Sequence, residues 1–248
     1  MFRTITDRIY YRPHDGYTDR PNIGLILGDK HTLLFDAGNS AANVASLRAE
    51  LAAQGLPEPD FVAVSHWHWD HTFGMYAWGV PTIAGCLTNE RLKIVQTWAW
   101  DDGSMKAREI SGEDVEFCNK MIRREYPDRS QIRVTTADIV FEGRMTIDLG
   151  GIICELIHAA GPHSEDSVIC HVPSERFVLL GDSNGKDLYK YPWCCDEKPF
   201  AEAVALIPYD WDRVDAYLEL LGELDFTRCI GGHADDMSRE ALFSSYKR

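Results

Sequence analysis

Ser65-His66-Trp67-His68-Trp69-Asp70-His71 follows directly on the apolar run Phe61-Val62-Ala63-Val64. Side-chain direction repeats every two residues in an extended chain, so imidazoles at i and i+2 point to the same side. His66 and His68 can therefore grip one ion. Asp70 and His71 extend the run into the start of a helix near Thr72-Phe73-Gly74-Met75, where they can face a second ion beside the first. Four ligand-type side chains in six residues need a purpose, because an unpaired buried polar group costs about 1 to 3 kcal/mol. The bland alternative is a solvated loop, or a histidine cluster satisfied by hydrogen bonds.

The surrounding sequence supplies a scaffold of strands. Asn22 to Leu27 and Thr32 to Phe35 are short apolar runs separated by Gly28-Asp29-Lys30-His31, which predicts a hairpin. Val44, Leu47 and Leu51 recur at helical spacing and Gly55-Leu56-Pro57 stops them, so a helix leads into the strand that precedes His66. After a further strand at Pro81-Thr82-Ile83-Ala84, residues 88–126 read as an inserted helical segment, with Leu92, Val95, Gln96 and Ala99 on one face. Strands are predicted again at 132–134, 139–141, 145–149, 152–157, 167–172 and 177–180. A helix through Trp211, Val214, Leu218 and Leu221, a strand at 228–230 and a terminal helix around Ala241-Leu242 and Tyr246 complete the chain. Each half is a set of strands followed by a helix, so the expectation is a single domain over 1–248: two sheets packed together between helices.

Composition narrows the partners. The chain has 248 residues, 45% of them hydrophobic, enough to bury a full core. Its 25 Lys+Arg against 39 Asp+Glu leave a formal net charge of -14, which repels polyanions and argues against nucleic acid or an anionic membrane. No apolar run reaches the roughly 18 to 20 residues a membrane helix needs, and the first residues lack the apolar stretch of a signal peptide. Seven cysteines, including the adjacent Cys194-Cys195, form no paired framework. A cytoplasmic protein with reduced thiols is the expectation; oligomeric state is not legible.

The stretch His66-x-His68-x-Asp70-His71 resembles the H-x-H-x-D-H signature of the metallo-β-lactamase fold, and the rest of the chain carries the family's other elements in order. Asp36 in Leu33-Leu34-Phe35-Asp36-Ala37-Gly38 is similar to the family's early structural aspartate. His163 in Gly161-Pro162-His163-Ser164-Glu165-Asp166-Ser167 is similar to its next histidine ligand, Asp182 in Leu179-Leu180-Gly181-Asp182 to its bridging aspartate, and His233 in Gly231-Gly232-His233 to its last ligand. The resemblance implies a four-layer αββα sandwich. It also implies two divalent metal ions, one held by His66, His68 and His163, the other by Asp70, His71 and His233, with Asp182 bridging both. His14, His31, His158 and His171 have no partner in a motif, and core or surface roles are expected for them.

Nitrogen and oxygen ligands suit Zn²⁺ first, and Fe or Mn as well. Two such ions hold a bridging hydroxide near neutral pH and polarise a carbonyl, so the resemblance implies hydrolysis of an acyl bond (ester, lactone, thioester or amide) in a small-molecule substrate. Asp70 is then the catalytic residue, which can orient the hydroxide or relay a proton to the leaving group while remaining a ligand. Lactamases of the cysteine-ligand class carry Cys where this chain has Asp182, and glyoxalase-type thioesterases carry a G-H-T/S-x-G that is missing here. Flavodiiron oxygen reductases have Glu where this chain has His68. A diiron redox protein related to them, or a metal-bearing binding or sensing module without turnover, are the alternatives. Trp100, beside Trp98 and Asp101-Asp102-Gly103 in the helical segment, and Lys186, after the bridging aspartate, are candidate substrate contacts. Helix packing and solvated surface are their plainer roles.

Overall fold

The structure, a computed structural model, describes residues 1–190 and 200–247. Its first sheet begins with β1 (Arg3–Thr4) and β2 (Ile9–Arg12), followed by the expected hairpin of β3 (Ile23–Leu27) and β4 (Thr32–Phe35), where Leu27 pairs with Thr32. Helix α1 (Ala41–Gln54) starts on Ser40, whose side chain accepts from the Asn43 amide, and stops at Gly55 in the left-handed conformation. It leads to β5 (Phe61–Ala63), the short helices α2 (Trp69–Thr72) and α3 (Met75–Trp78), and β6 (Thr82–Gly85). Helices α4 (Cys86–Val95), α5 (Asp102–Ser111) and α6 (Glu116–Glu125) then fill the segment before β7 (Ile139–Phe141). The seven strands lie side by side in sequence order, antiparallel from β1 to β4 and parallel from β4 to β7.

The second sheet comprises β8 (Arg144–Asp148), β9 (Ile153–His158), β10 (Val168–Val172), β11 (Phe177–Gly181), β12 (Arg228–Gly231) and β13 (Met237–Ser238). All its neighbours are antiparallel except β11 and β12. Helix α7 (Phe200–Leu206) precedes α8 (Trp211–Gly222), and α9 (Arg239–Ser245) closes the described chain. Among the described residues, no helix is long and apolar enough to cross a membrane, and Cys86, Cys118, Cys154, Cys170 and Cys229 are free thiols. Cys194 and Cys195 lie outside the described residues.

Alternation along the strands makes four layers. In β3 and β4, Leu25 and Leu34 face a core shared with α1 and α4–α6, whereas their neighbours Ile26 and Leu33 face the second sheet. On that sheet Leu156, Cys170 and Leu179 point back into the inter-sheet core, while Ile157, Ile169 and Val178 point outward onto Tyr217 and Leu221 of α8 and Leu242 of α9. The αββα sandwich inferred from the sequence is thus the observed fold. One expected strand is corrected: among the described residues, 132–134 pair with no strand. The Val134 carbonyl accepts from Gln96 Nε2, and Ile132 and Val134 pack into the core of the helical segment. Helix packing uses those apolar side chains without a ladder. Leu156 is fully buried between the sheets, so Leu156→Ala should cost about 2 to 5 kcal/mol, read as a shift of the urea midpoint at unchanged slope.

Candidate metal centre

The direction of the strands gathers the candidate ligands. β4 and β5 run parallel, so Asp36, which follows one, and His66 and His68, which follow the other, emerge at a single edge. β9, β11 and β12 share one direction across the second sheet, which brings the turn holding His163, then Asp182, then His233 to a common edge. The two edges are tied by the Val168 amide donating to the Ser65 carbonyl at 2.6 Å, and by the Asn22 amide donating to the Gly232 carbonyl at 2.5 Å. Asp70 and His71 sit in α2, one turn beyond His66.

Two clusters result. The ligand atoms of His66, His68 and His163 lie within 4.8 Å of one another, and so do those of Asp70, His71, Asp182 and His233. Asp182 Oδ2 joins them, at 3.5 Å from His71 Nε2, 3.5 Å from His233 Nε2 and 3.7 Å from His163 Nε2. Asp70 Oδ2 is 3.0 Å from both His71 Nε2 and His233 Nε2.

The far side of several rings fixes which nitrogen is available. His163 Nδ1 lies 2.8 Å from the Lys186 carbonyl, which can only accept, so Nδ1 is the donor and Nε2 keeps its lone pair for the centre. His71 Nδ1 donates to Asp36 Oδ2 at 2.8 Å in the same way. Ser65 Oγ gives its hydrogen to Asp36 Oδ2 at 3.1 Å and therefore accepts from His66 Nδ1 at 3.0 Å. His66 Nε2 is left fully buried with no hydrogen-bond partner among the described residues, and His71 Nε2 meets only the carboxylate oxygens of Asp70 and Asp182. An orphaned, inward-facing imidazole nitrogen beside converging histidines and carboxylates is the donor set of a divalent cation, and the residues fit two such ions.

Electrostatics divides the clusters. Burial and the neighbouring imidazoles hold His66 and His68 well below the ordinary histidine range, so both are neutral. Against burial, the carboxylates of Asp70, Asp36 and Asp182 hold His71 well above it. Against burial again, Asp182, Asp70 and Asp19 raise His233 to about 10. In the metal-free protein protons thus supply the positive charge that the carboxylates require.

All seven ligand candidates named from the sequence come together here. Asp36 takes the supporting position expected for it. Other residues could not be foreseen, because no motif marks them. Asp166 accepts from the Trp67 amide at 2.9 Å and from Ser164 Oγ, locking the first histidine loop to the third. Asn22 donates to the carbonyls of Gly231 and Ala234, both at 2.7 Å, and holds the His233 turn. Of the unassigned histidines, His14 faces His233 at 6.3 Å between ring centres, His158 Nε2 meets the Glu165 carbonyl at 2.8 Å, His171 is buried against Glu155, and His31 lies on the surface.

A cavity of about 490 Å³ opens onto the centre, with Asp19, Asn184 and Lys186 among its polar lining and Phe117, Met121, Leu188 and Val204 along its apolar wall. Lys186 reaches this cavity, but its ammonium donates to the Ala205 carbonyl at 3.0 Å and lies 5.0 Å over the Tyr209 ring. Trp100 does not line it. Its ring packs on Phe73 and Trp98 at 5.4 and 5.9 Å, under the Arg108 guanidinium, because the helical segment needs an aromatic core. The same segment reaches the cavity through Phe117 and Met121 of α6 instead.

A sequence model of the metallo-beta-lactamase superfamily matches residues 16–233. Among curated proteins, none matches in sequence. Solved structures similar to this one include the DIM-1 metallo-beta-lactamase, at 17% identity and TM-score 0.61 over 99% of this chain and 94% of that one. A metallo-beta-lactamase from Pontibacter korlensis aligns at 16% identity and TM-score 0.59 over 99% and 96%, and one from Cronobacter sakazakii at 17% and 0.60 over 93% and 80%. At these identities the likeness is one of fold.

Two outcomes follow from the geometry. A β-carbon built on Gly232 would lie 2.0 Å from Asp182 Oδ1, so Gly232→Ala should displace that carboxylate and lower metal content, measured by elemental analysis of the folded variant. Because His71 and His233 carry protons that a cation must replace, adding Zn²⁺ to metal-free protein at neutral pH should release protons, and apparent affinity should rise with pH. Calorimetry in two buffers of different ionisation enthalpy measures that release directly.

Proposed function

The chain belongs to the metallo-beta-lactamase superfamily, and we propose that it is a dinuclear metal-dependent hydrolase of an acyl bond (ester, lactone, thioester or amide) in a small molecule. The observation that carries this reading is the position of Asp182 Oδ2, within 3.7 Å of histidines from both clusters. A carboxylate there is a ligand that two cations can share.

Zn²⁺ is the first choice for this nitrogen and oxygen set, with Fe or Mn also suited. Bound ions of this kind make a water acidic enough to lose a proton near neutral pH and polarise the carbonyl under attack. The protein does the rest. Asp36, Ser65 and the Lys186 carbonyl aim the histidine rings from behind, which is how supporting contacts tune a metal site. Asp70, whose Oδ2 touches His71 and His233, can take the proton of the attacking water and return it to the leaving group. Phe117, Met121 and Leu188 offer an apolar wall for the part of the substrate next to the scissile bond. The net charge of -14 supports a small molecule over a nucleic acid as substrate.

Replacing Asp182 with Ala removes the shared ligand and leaves two cations facing each other without it. Metal content should fall below two per chain, and turnover of esters, lactones, thioesters or amides should fall further. Full metal occupancy with unchanged activity would overturn the dinuclear hydrolase. So would two Fe per chain with visible absorbance, reversible reduction and no hydrolysis in that screen.

A further inference from the structure

Two cavities, not one, meet at His68 and His163. The second, of about 530 Å³, is walled by Trp67, Tyr189, α4 and the turn that carries His163. The Tyr189 ring lies 5.2 Å from His68 and 5.4 Å from Trp67.

The wall from α4 is unusual for a surface helix. Its buried face is Thr88, Asn89, Leu92 and Val95, yet the opposite face is not uniformly polar: Leu87 is 41% and Ile94 46% exposed. Arg91 stands between them, its guanidinium stacked 4.9 Å over the Trp67 ring. Among the described residues no carboxylate pairs with Arg91. The acidic groups lining the cavity are engaged elsewhere: Asp166 with Trp67 and Ser164, Asp187 with the Tyr189 amide, Glu90 with Lys93 at 2.6 Å, and Glu165 near Arg213 at 3.8 Å. A guanidinium held over an indole face with no carboxylate partner keeps N–H groups for a ligand, and its fork matches a carboxylate with two parallel hydrogen bonds.

We propose that this second cavity binds the carboxylate-bearing apolar arm of the substrate, with the carboxylate on Arg91 and the chain across Leu87 and Ile94. The scissile bond then falls at the His68–His163 junction, between this arm and the apolar wall of Phe117 and Met121. The assignment of the arm to a substrate rests on the hydrolase reading; the binding of an apolar carboxylate does not.

The test therefore separates the two. Octanoate, 1-octanol and octylammonium are titrated into the zinc-loaded protein while the Trp67 indole resonance is followed. Octanoate should bind and shift it, and the two others should bind at least about tenfold more weakly, given the energy of a charge-assisted pair. Arg91→Met, which keeps the stem and removes the charge, should weaken octanoate by a similar factor, Arg91→Lys by less, and Ile94→Asp should weaken it too. Added salt should weaken it in wild type only. Octanol binding as well as octanoate, or octanoate binding unchanged in Arg91→Met, would overturn the proposal, as would binding that disappears without zinc and persists without Arg91. For any hydrolysed carboxylate substrate, Arg91→Met should raise KM relative to the methyl ester while kcat and metal content stay constant. Octanoate binding with no hydrolysis of any acyl substrate would refute the enzyme and leave the carboxylate site standing.

Discussion

Carboxylates Asp36, Asp70 and Asp182 converge on buried imidazoles at the junction of the two sheets, and their negative charge must be neutralised on the spot. Removing several like charges from water without counter-charge costs far more than a fold's net stability. In the metal-free protein the counter-charge is protons on His71 and His233. Divalent cations meet the same demand better, because they also satisfy the orphaned Nε2 of His66. The local chemistry of the centre is therefore a consequence of burial.

The fold is what makes that burial attainable. A parallel pair of strands delivers its two following loops to one edge, and the sandwich has such a pair in each sheet, β4 with β5 and β11 with β12. Packing the sheets face to face then brings loops separated by about half the chain into contact without any long excursion. Close approach is bought with special backbone. Gly181 adopts φ +53, and a β-carbon there would lie 2.4 Å from that of Ser65. Asp36, at φ 72, accepts a left-handed conformation so that its carboxylate can reach both Ser65 and His71.

Legibility in the sequence follows the range of the interaction. His66, His68, Asp70 and His71 are readable because ligand-type side chains are rare at that density after an apolar strand; His163, Asp182 and His233, each alone after its strand, are placed by the resemblance to the family. The hairpin of β3 and β4 and the glycine stop of α1 are readable because their signals are local. β2 was not, since Ile9-Tyr10-Tyr11-Arg12 is short and gains its strand character from pairing with Ile23 to Ile26. Residues 132–134 misled in the other direction: β-branched residues fit a strand, but nothing local says whether a partner strand is free to receive them. Asp166, Asn22 and Asp19 carry ordinary residue types in loops. Their roles exist only because distant turns come within hydrogen-bonding range.

On the proposed reading, the helical segment between β6 and β7 separates the selectivity of a metal centre from its ligands within one chain. None of the seven ligand candidates lies in α4, α5 or α6, yet α6 supplies Phe117 and Met121 to one cavity and α4 supplies Leu87, Arg91 and Ile94 to the other. Its aromatic core of Trp98 and Trp100, stacked with Arg108 and packed on Phe73 next to α2, couples those walls to the helix that carries Asp70 and His71. Substitutions on the outer faces of these helices can then change which molecule is held without disturbing the ligands. Substitutions in the aromatic core reach the ligands through α2. Trp100, an aromatic beside the first metal motif in sequence, packs on Phe73: an aromatic large enough to cover a substrate is also large enough to brace the scaffold, and the contact with Phe73 supplies the second role.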